Sequence, residues 1–133
     1  MGSLLDLVKQ HEGLRLKPYK DTAGVLTIGY GLNLEEGITE AEAEVLLESR
    51  IRRAQAELLS VLPEAFLSTE NRTHALVSMI YNLGKTRFLG FEKMLGFIRK
   101  GEWESAAYAA LDSRWATQVP TRALEIANML RRG

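Results

Sequence analysis

The chain has 133 residues, of which 46% are hydrophobic and 26% charged, proportions typical of an ordinary folded protein rather than a disordered one. It contains no cysteine and only two histidines, which excludes disulfides, thiol nucleophiles and cysteine-bound zinc, and we expect neither a metal nor another cofactor. The 17 basic and 17 acidic side chains cancel, but residues 35–70 are mainly acidic and residues 71–133 mainly basic, so a polyanionic partner and a merely solvated surface both remain open.

The first predicted element is a short amphipathic helix over residues 3–11. Leu4, Leu5 and Val8 recur at helical spacing, which predicts that they face a core. Gly13 is the expected stop, because glycine commonly follows the last helical turn.

The same N-terminal segment does not have the features of a targeting signal. Asp6 interrupts its apolar stretch and no basic residue precedes that stretch, unlike a secretory signal peptide. No run in the chain reaches the ~18 apolar residues that a membrane helix requires. We therefore expect no signal peptide, no membrane span and an origin in the cytoplasm.

A β-like stretch follows the first helix. Residues 15–20 alternate loosely, residues 21–24 (DTAG) are typical of a turn, and residues 25–28 (VLTI) are rich in β-branched side chains. Gly29 and Gly31 come next. This pattern predicts a β-hairpin.

The remainder of the chain is predicted to be helical. Residues 39–42 (TEAE) form a capping-box sequence that begins a long helix, which should end at Pro63. Four further helices are predicted over residues 69–83, 91–100, 102–111 and 120–131. The fold class is therefore α+β and mainly helical.

Two carboxylates stand at the junction of these elements. Glu12 ends the first helix, and Asp21 lies on the hairpin turn. Cleavage of a glycosidic bond requires such a pair, one carboxyl to protonate the leaving oxygen and one to attack carbon or activate water. The acid must stay protonated near neutral pH, which requires burial or desolvation by substrate. Thr27 could hold the same water. On spacing alone, however, solvated surface carboxylates explain most such pairs, and Asp21 could be only a turn-forming residue and Thr27 an ordinary strand residue.

The stretch from Glu12 to Gly31, EGLRLKPYKDTAGVLTIGYG, closely resembles the active-site region of the phage T4-type lysozymes, the endolysin muramidases of glycoside hydrolase family 24. The shared pattern is Glu-Gly, then Tyr-x-Asp, then Thr-Ile-Gly-x-Gly. The resemblance continues in residues 81–84 (YNLG), 113–115 (SRW) and 118–122 (QVPTR). It covers nearly the whole chain apart from the region around residues 32–38.

This resemblance implies a single catalytic domain over residues 1–133 with a two-lobed lysozyme-like fold. A small hairpin lobe, about residues 13–60, would pack beside a helical lobe of about residues 1–12 and 61–133, with a cleft between them. The region between Gly31 and Ile38 is shorter here than in larger members of the family, which implies a reduced cleft floor.

The resemblance also implies an activity: hydrolysis, with inversion, of the β-1,4 bond between N-acetylmuramic acid and N-acetylglucosamine. Glu12 would be the general acid, Asp21 the base or an electrostatic partner, and Thr27 would help to position the water. Asn33, Tyr81 and Arg122 fall on positions that contact substrate or approach the catalytic glutamate in relatives. A lytic transglycosylase would need no activated water, so Asp21 with Thr27 argues for a hydrolase.

The implied partner is bacterial peptidoglycan, reached by a monomeric protein that leaves the host cytoplasm, with a holin as one route of release. A non-catalytic wall-binding protein on the same fold remains an alternative. A helical nucleic-acid binder fits less well, because the basic residues are scattered over several helices rather than concentrated on one recognition helix.

Overall fold

A computed structural model describes residues 2–133, which are mostly helical and include one small antiparallel sheet. The α+β class predicted from the sequence is confirmed. The chain divides into two compact units, here called the sheet unit, up to Val45, and the helical unit, Leu46–Gly133. Within the described residues, no helix combines the length and the apolar character needed to cross a membrane.

The sheet unit begins with helix α1, Leu4–Glu12. The side chain of Ser3 accepts a hydrogen bond from the backbone N–H of Asp6, and the Asp6 carboxylate accepts one from the N–H of Ser3. This reciprocal capping box fixes the first turn. The helix ends at Gly13, as predicted, where a φ of +70° favours glycine.

Three strands follow: β1 (Arg15–Lys20), β2 (Leu26–Gly29) and β3 (Leu32–Asn33). They form one antiparallel sheet in the order β1-β2-β3. The predicted hairpin is therefore present and gains a third strand, which the sequence analysis did not predict. A 3₁₀ turn, Leu34–Glu36, continues from β3.

The predicted burial of one face of α1 is wrong. Leu4, Leu5 and Val8 are 76%, 64% and 43% exposed, and α1 has no buried residue. The only buried residue described in the sheet unit is Thr27. A unit of this size, with a nine-residue helix and three short strands, has too few apolar side chains to enclose a core of its own.

Helix α2, Glu40–Val61, begins at the predicted capping box. The Thr39 hydroxyl accepts a hydrogen bond from the N–H of Glu42, and the Glu42 carboxylate accepts one from the N–H of Thr39. These hydrogen bonds hold the pKa of Glu42 below its usual range, the backbone N–H of Thr39 contributing most and the hydroxyl next. The helix ends before Pro63, where a second 3₁₀ turn, Pro63–Leu67, starts.

Six more helices complete the helical unit. They are α3 (Glu70–Leu83), α4 (Lys85–Leu89), α5 (Glu92–Arg99), α6 (Trp103–Leu111), α7 (Arg114–Gln118) and α8 (Pro120–Arg132). The four longer helices match the predicted ones to within two residues at each end. The two five-residue helices α4 and α7 were not predicted.

The hydrophobic core lies in the helical unit, where α8 packs against α3, α6 and α7, and α5 packs against α6. Phe88 on α4 is completely buried within it. Trp115, 4% exposed, meets the Phe91 ring edge-on and donates a hydrogen bond from Nε1 to Asn82 Oδ1 at 2.8 Å. Trp115 is therefore a core residue, whereas Trp103 is only partly buried where it packs against the core.

Candidate active-site residues

Glu12 is exposed at the C-terminal end of α1, immediately before the glycine that stops the helix. Its carboxylate lies against Gly31, in the turn that joins β2 to β3: a Cβ added at Gly31 would overlap Glu12 Oε2. Gly31 has a φ of +73°, a conformation that side chains other than glycine rarely adopt. Glycine is therefore favoured here both by the backbone conformation and by the close approach of the glutamate.

A second contact joins α1 to the same turn. The Lys9 ammonium lies 5.6 Å from the centre of the Tyr30 ring, within the range of a cation–π interaction. Lys9 is one turn before Glu12 on α1, and Tyr30 precedes Gly31. Two neighbouring contacts thus hold the end of α1 beside the β2–β3 turn, so the position of the Glu12 carboxylate depends on that turn.

Asp21 shapes the turn between β1 and β2. Its Oδ1 accepts hydrogen bonds from the backbone N–H groups of Ala23 and Val25, both at 2.9 Å. Its own N–H donates to the Val25 carbonyl at 2.9 Å, and its carbonyl accepts from Gly24. Asp21 therefore does form the turn, through one carboxylate oxygen, while the side chain as a whole remains exposed.

Thr27 is the only polar residue described as buried, at 4% exposure. Its hydroxyl donates a hydrogen bond to the Val25 carbonyl at 2.8 Å. Val25 thus contacts the Asp21 carboxylate with its N–H and the Thr27 hydroxyl with its carbonyl. Because Thr27 already donates its only hydroxyl proton, its oxygen is left to act as an acceptor toward any further partner.

Asn33 is the β3 partner of Thr27, which pairs with Tyr19 of β1 on its other side. The Asn33 side chain accepts a hydrogen bond from the N–H of Glu35 at 2.9 Å and so caps the 3₁₀ turn. This bond occupies the amide oxygen and leaves the amide N–H₂ as the group that could donate to a ligand. The sheet therefore places Asn33 beside Thr27, and Thr27 in turn shares Val25 with Asp21.

Tyr81 and Arg122 lie in the helical unit, on α3 and α8. Both line a groove of about 430 Å³ whose other walls include apolar side chains of α2 and α3. Tyr81 is 47% exposed, and Arg122 donates a hydrogen bond from Nη2 to Ser78 Oγ at 3.3 Å. The structure thus brings this predicted pair together on one surface.

Sequence reasoning missed two residues that position this site. Val25 acts through its backbone, which has no sequence signature, and it was predicted only as a strand residue. Gly31 was noted within the Thr-Ile-Gly-x-Gly motif but not as a neighbour of Glu12. A glycine that must accept positive φ close to a candidate acid is the signal that could have identified it.

The described residues can also be searched for a group of side chains that could hold a metal ion. Among residues 2–133, no group of three or more histidine, cysteine, aspartate or glutamate side chains is arranged to hold a metal ion. The chemistry available at Glu12, Asp21 and Thr27 is proton transfer and the positioning of a water molecule.

Comparison with known proteins identifies the family. The profile of the phage lysozyme family matches residues 9–132, nearly the whole chain. The chain belongs to the phage lysozyme family. As a member it is a peptidoglycan-degrading glycoside hydrolase of the lysozyme type, in agreement with the expectation drawn from the motifs.

Individual members of the family show the same relationship. The chain is 28% identical to "Probable T4-type lysozyme 1" of Dictyostelium discoideum over 163 aligned positions, which cover all of this chain and 96% of that protein. It is 31% identical to the endolysin of Salmonella phage P22 over 111 positions, 78% of this chain and 75% of the relative. It is 39% identical to the endolysin of Acyrthosiphon pisum secondary endosymbiont phage 1 over 88 positions, 63% and 59% of the two chains.

The first of these alignments also bears on chain length. It extends over 163 positions, whereas this chain has 133 residues, so gaps in this chain stand opposite residues of the Dictyostelium protein. Within the aligned region the chain is therefore shorter than this relative.

Proposed function

We propose that the chain is an N-acetylmuramidase that hydrolyses the β-1,4 bond between N-acetylmuramic acid and N-acetylglucosamine. Residues 1–133 act as one catalytic domain in this proposal, with Glu12 as general acid and Asp21 as general base. The observation that carries it is the arrangement of Asp21 and Thr27 around Val25, because this arrangement fits the needs of an attacking water molecule.

An attacking water must direct a lone pair at the anomeric carbon, so both of its O–H groups must donate hydrogen bonds to acceptors, and one of these acceptors takes up a proton. Asp21 Oδ1 is engaged by the two N–H groups of its turn, and Oδ2 is the oxygen that would accept the first proton. Thr27 already donates to a carbonyl, so its oxygen accepts a hydrogen bond from the second O–H of the water, whose proton is not transferred. The same hydrogen bonds that build the turn therefore orient the base and the hydroxyl.

Glu12 would protonate the bridging oxygen as the bond breaks. It is exposed, so its protonated form has to be favoured when a bound sugar covers the carboxyl and excludes water. Gly31 and the Lys9–Tyr30 contact would fix the direction from which the proton arrives. Since an activated water attacks directly, the reaction inverts the anomeric configuration, and we expect the two carboxyl groups to lie ~6.5–9.5 Å apart.

Three residues would bind the polymer rather than react. The Asn33 amide N–H₂ would donate to the carbonyl of an acetamido group, because its oxygen is committed to Glu35. Tyr81 offers a half-exposed aromatic ring to a sugar face. Arg122, held by Ser78, would supply positive charge to the bound polymer.

The remaining parts of the proposal concern the setting of the reaction. The names of two relatives, both endolysins of phages, support action on a bacterial cell wall after release from the host cytoplasm. We propose a monomer whose release depends on a separate membrane-permeabilising protein such as a holin, with no nucleic-acid partner.

The test compares Asp21→Asn with Asp21→Ala on purified peptidoglycan. Asparagine keeps the oxygen that accepts from Ala23 and Val25, so the turn should persist, whereas alanine removes it. We expect Asp21→Asn to keep wild-type thermal stability and to lose about 10²-fold or more of hydrolysis. Near-normal hydrolysis by a folded Asp21→Asn would contradict the role of the base.

Product analysis of the wild-type digest decides among the alternative activities. Reducing N-acetylmuramic acid ends support a muramidase. Anhydromuramic ends would instead identify a lytic transglycosylase, which needs no activated water. Binding to the wall with no cleavage at all would identify a non-catalytic wall-binding protein.

A further inference from the structure

A second groove on the helical unit has a strongly positive lining. It measures about 350 Å³ and is walled by α2 on one side and by the C-terminal end of α3 with the residues that follow it on the other. Three cations line it, Arg50 and Arg53 from α2 and Lys85 from the start of α4. The lining includes one carboxylate, Glu57, and the ring of Tyr81.

The cations of this groove are only partly compensated. Glu57 Oε1 lies 3.6 Å from Arg53 Nε, so these two residues form an ion pair. Within residues 46–133, neither Arg50 nor Lys85 makes an ion pair. With three cations and one carboxylate, the groove carries a net charge of two positive units. All three cationic side chains are exposed to solvent and therefore accessible to a ligand.

Solvated surface cations are common, but two features distinguish these. They come from two separate segments of the chain and converge on one concave surface, where their fields add. An arginine also presents several donors in a planar fork that matches the oxygens of a carboxylate or phosphate. The groove is thus suited to an anionic oxygen group rather than to a neutral sugar.

We propose that this groove binds anionic groups of the cell-wall polymer, chiefly the carboxylates of its stem peptides. The inference rests on the proposed muramidase function, and Tyr81 provides the link. Tyr81 lines the groove and is also the residue proposed to contact a sugar face. Each muramic acid carries its peptide on the sugar itself, so carboxylates accompany any sugar bound at Tyr81. Phosphate of a wall teichoic acid has the same oxygen chemistry and is the alternative source.

The proposal makes the groove a determinant of specificity. A β-1,4-linked polymer of N-acetylglucosamine without peptides has no anionic group for Arg50 and Lys85 to bind. The chain should therefore favour peptide-bearing peptidoglycan over such a neutral polymer, and the preference should weaken with salt, because charges at exposed sites are screened over about 10 Å at 0.1 M ionic strength.

The experiment measures co-sedimentation with insoluble peptidoglycan in a Glu12→Gln background, so that binding is read without cleavage. Arg50→Gln/Lys85→Gln is compared with Lys100→Gln/Arg132→Gln, which removes one lysine and one arginine from exposed positions outside the groove. Three substrates are used: peptidoglycan free of teichoic acid, the same material with its carboxylates amidated, and walls that retain teichoic acid. Hydrolysis rates of the same variants with Glu12 intact are measured in parallel.

We expect the groove variant to bind teichoic-free peptidoglycan about three- to tenfold more weakly than the control, since each exposed ion pair is worth a factor of about two to five. Amidation should abolish this difference. A loss of binding seen only when teichoic acid is present would support the anionic site with phosphate as its source.

Equal binding by the groove variant and the control on every substrate would overturn the proposal. Failure of the proposed function is separately visible. If the wild type hydrolyses nothing, but the groove variant still binds carboxylate-bearing peptidoglycan more weakly than the control, the muramidase assignment fails and the binding site stands.

Discussion

Gly31 allows the role of the Glu12 position to be tested without altering any ionisable group. We predict that Gly31→Ala reduces activity far more than it reduces stability. The added Cβ would lie 3.0 Å from the Glu12 carboxyl carbon and closer still to Oε2, so the carboxylate must retreat by about 1 Å to reach an ordinary contact. The atom that must move is at the free end of a flexible side chain, so the movement itself costs little stability.

The stability change should come mainly from the backbone. An alanine at a φ of +73° costs about 1–2 kcal/mol. Gly29→Ala is a matched control, because Gly29 has a φ of +68° but a Cβ added there meets nothing within 4 Å. Both variants should therefore lose a similar amount of stability in urea denaturation. Only Gly31→Ala should show a large loss of hydrolysis, since a displacement of about 1 Å at a reacting group can cost about 10²-fold.

The two assays are peptidoglycan clearing at saturating substrate and equilibrium urea denaturation of the purified variants. Equal activities of Gly31→Ala and Gly29→Ala would refute the reasoning, because the position of the Glu12 carboxylate would then not depend on its contact with residue 31. A much greater loss of stability in Gly31→Ala would show instead that the carboxylate cannot move away from the new Cβ.

Three further predictions concern stability. The Arg72 guanidinium lies 4.7 Å from the centre of the Trp103 ring and donates a hydrogen bond to the Leu130 carbonyl. Arg72→Lys should lower the free energy of unfolding in urea by about 1–3 kcal/mol, because lysine lacks the planar fork of donors. An unchanged free energy of unfolding would contradict this role. Phe88→Ala, in the core, should cost about 3–5 kcal/mol in the same assay, and a loss below 1 kcal/mol would contradict its buried position. The pKa of Glu42 is lowered by its hydrogen bonds to Thr39, so its contribution to stability is present above about pH 4.3 and is lost as the pH falls through the lower pKa of the folded state. Glu42→Gln should therefore show a smaller fall in melting temperature between pH 5 and pH 3 than the wild type. An equal fall in the two proteins would refute this.

The sequence predicted elements that carry their own local signals. The capping box at Thr39 and the stops at Gly13 and Pro63 mark helix ends by backbone chemistry that operates within a few residues. Helices α4 and α7 were missed because five residues are too few to display a helical period. The spacing of apolar residues in α1 does place them on one face of the helix. Spacing alone does not determine whether another part of the protein buries that face, and here it is exposed.

The proximity of two candidate site residues could be predicted from the sequence, but the hydrogen bonds between them could not. Asp21 and Thr27 are close in sequence and share one hairpin, so their proximity followed from the predicted elements. The hydrogen bonds that join them pass through the backbone of Val25, which any residue could provide, and they could not be predicted. The approach of Glu12 to Gly31 depends on how α1 lies beside the sheet, which local patterns do not specify.

The central claim is that Glu12 is the general acid, and one comparison tests it most directly. Clearing of purified peptidoglycan is measured for the wild type, for Glu12→Gln and for Glu36→Gln, an exposed carboxylate of the sheet unit that serves as the control. We predict a loss of about 10²–10⁴-fold for Glu12→Gln with unchanged folding, and wild-type activity for Glu36→Gln. Wild-type activity in a folded Glu12→Gln would contradict the account.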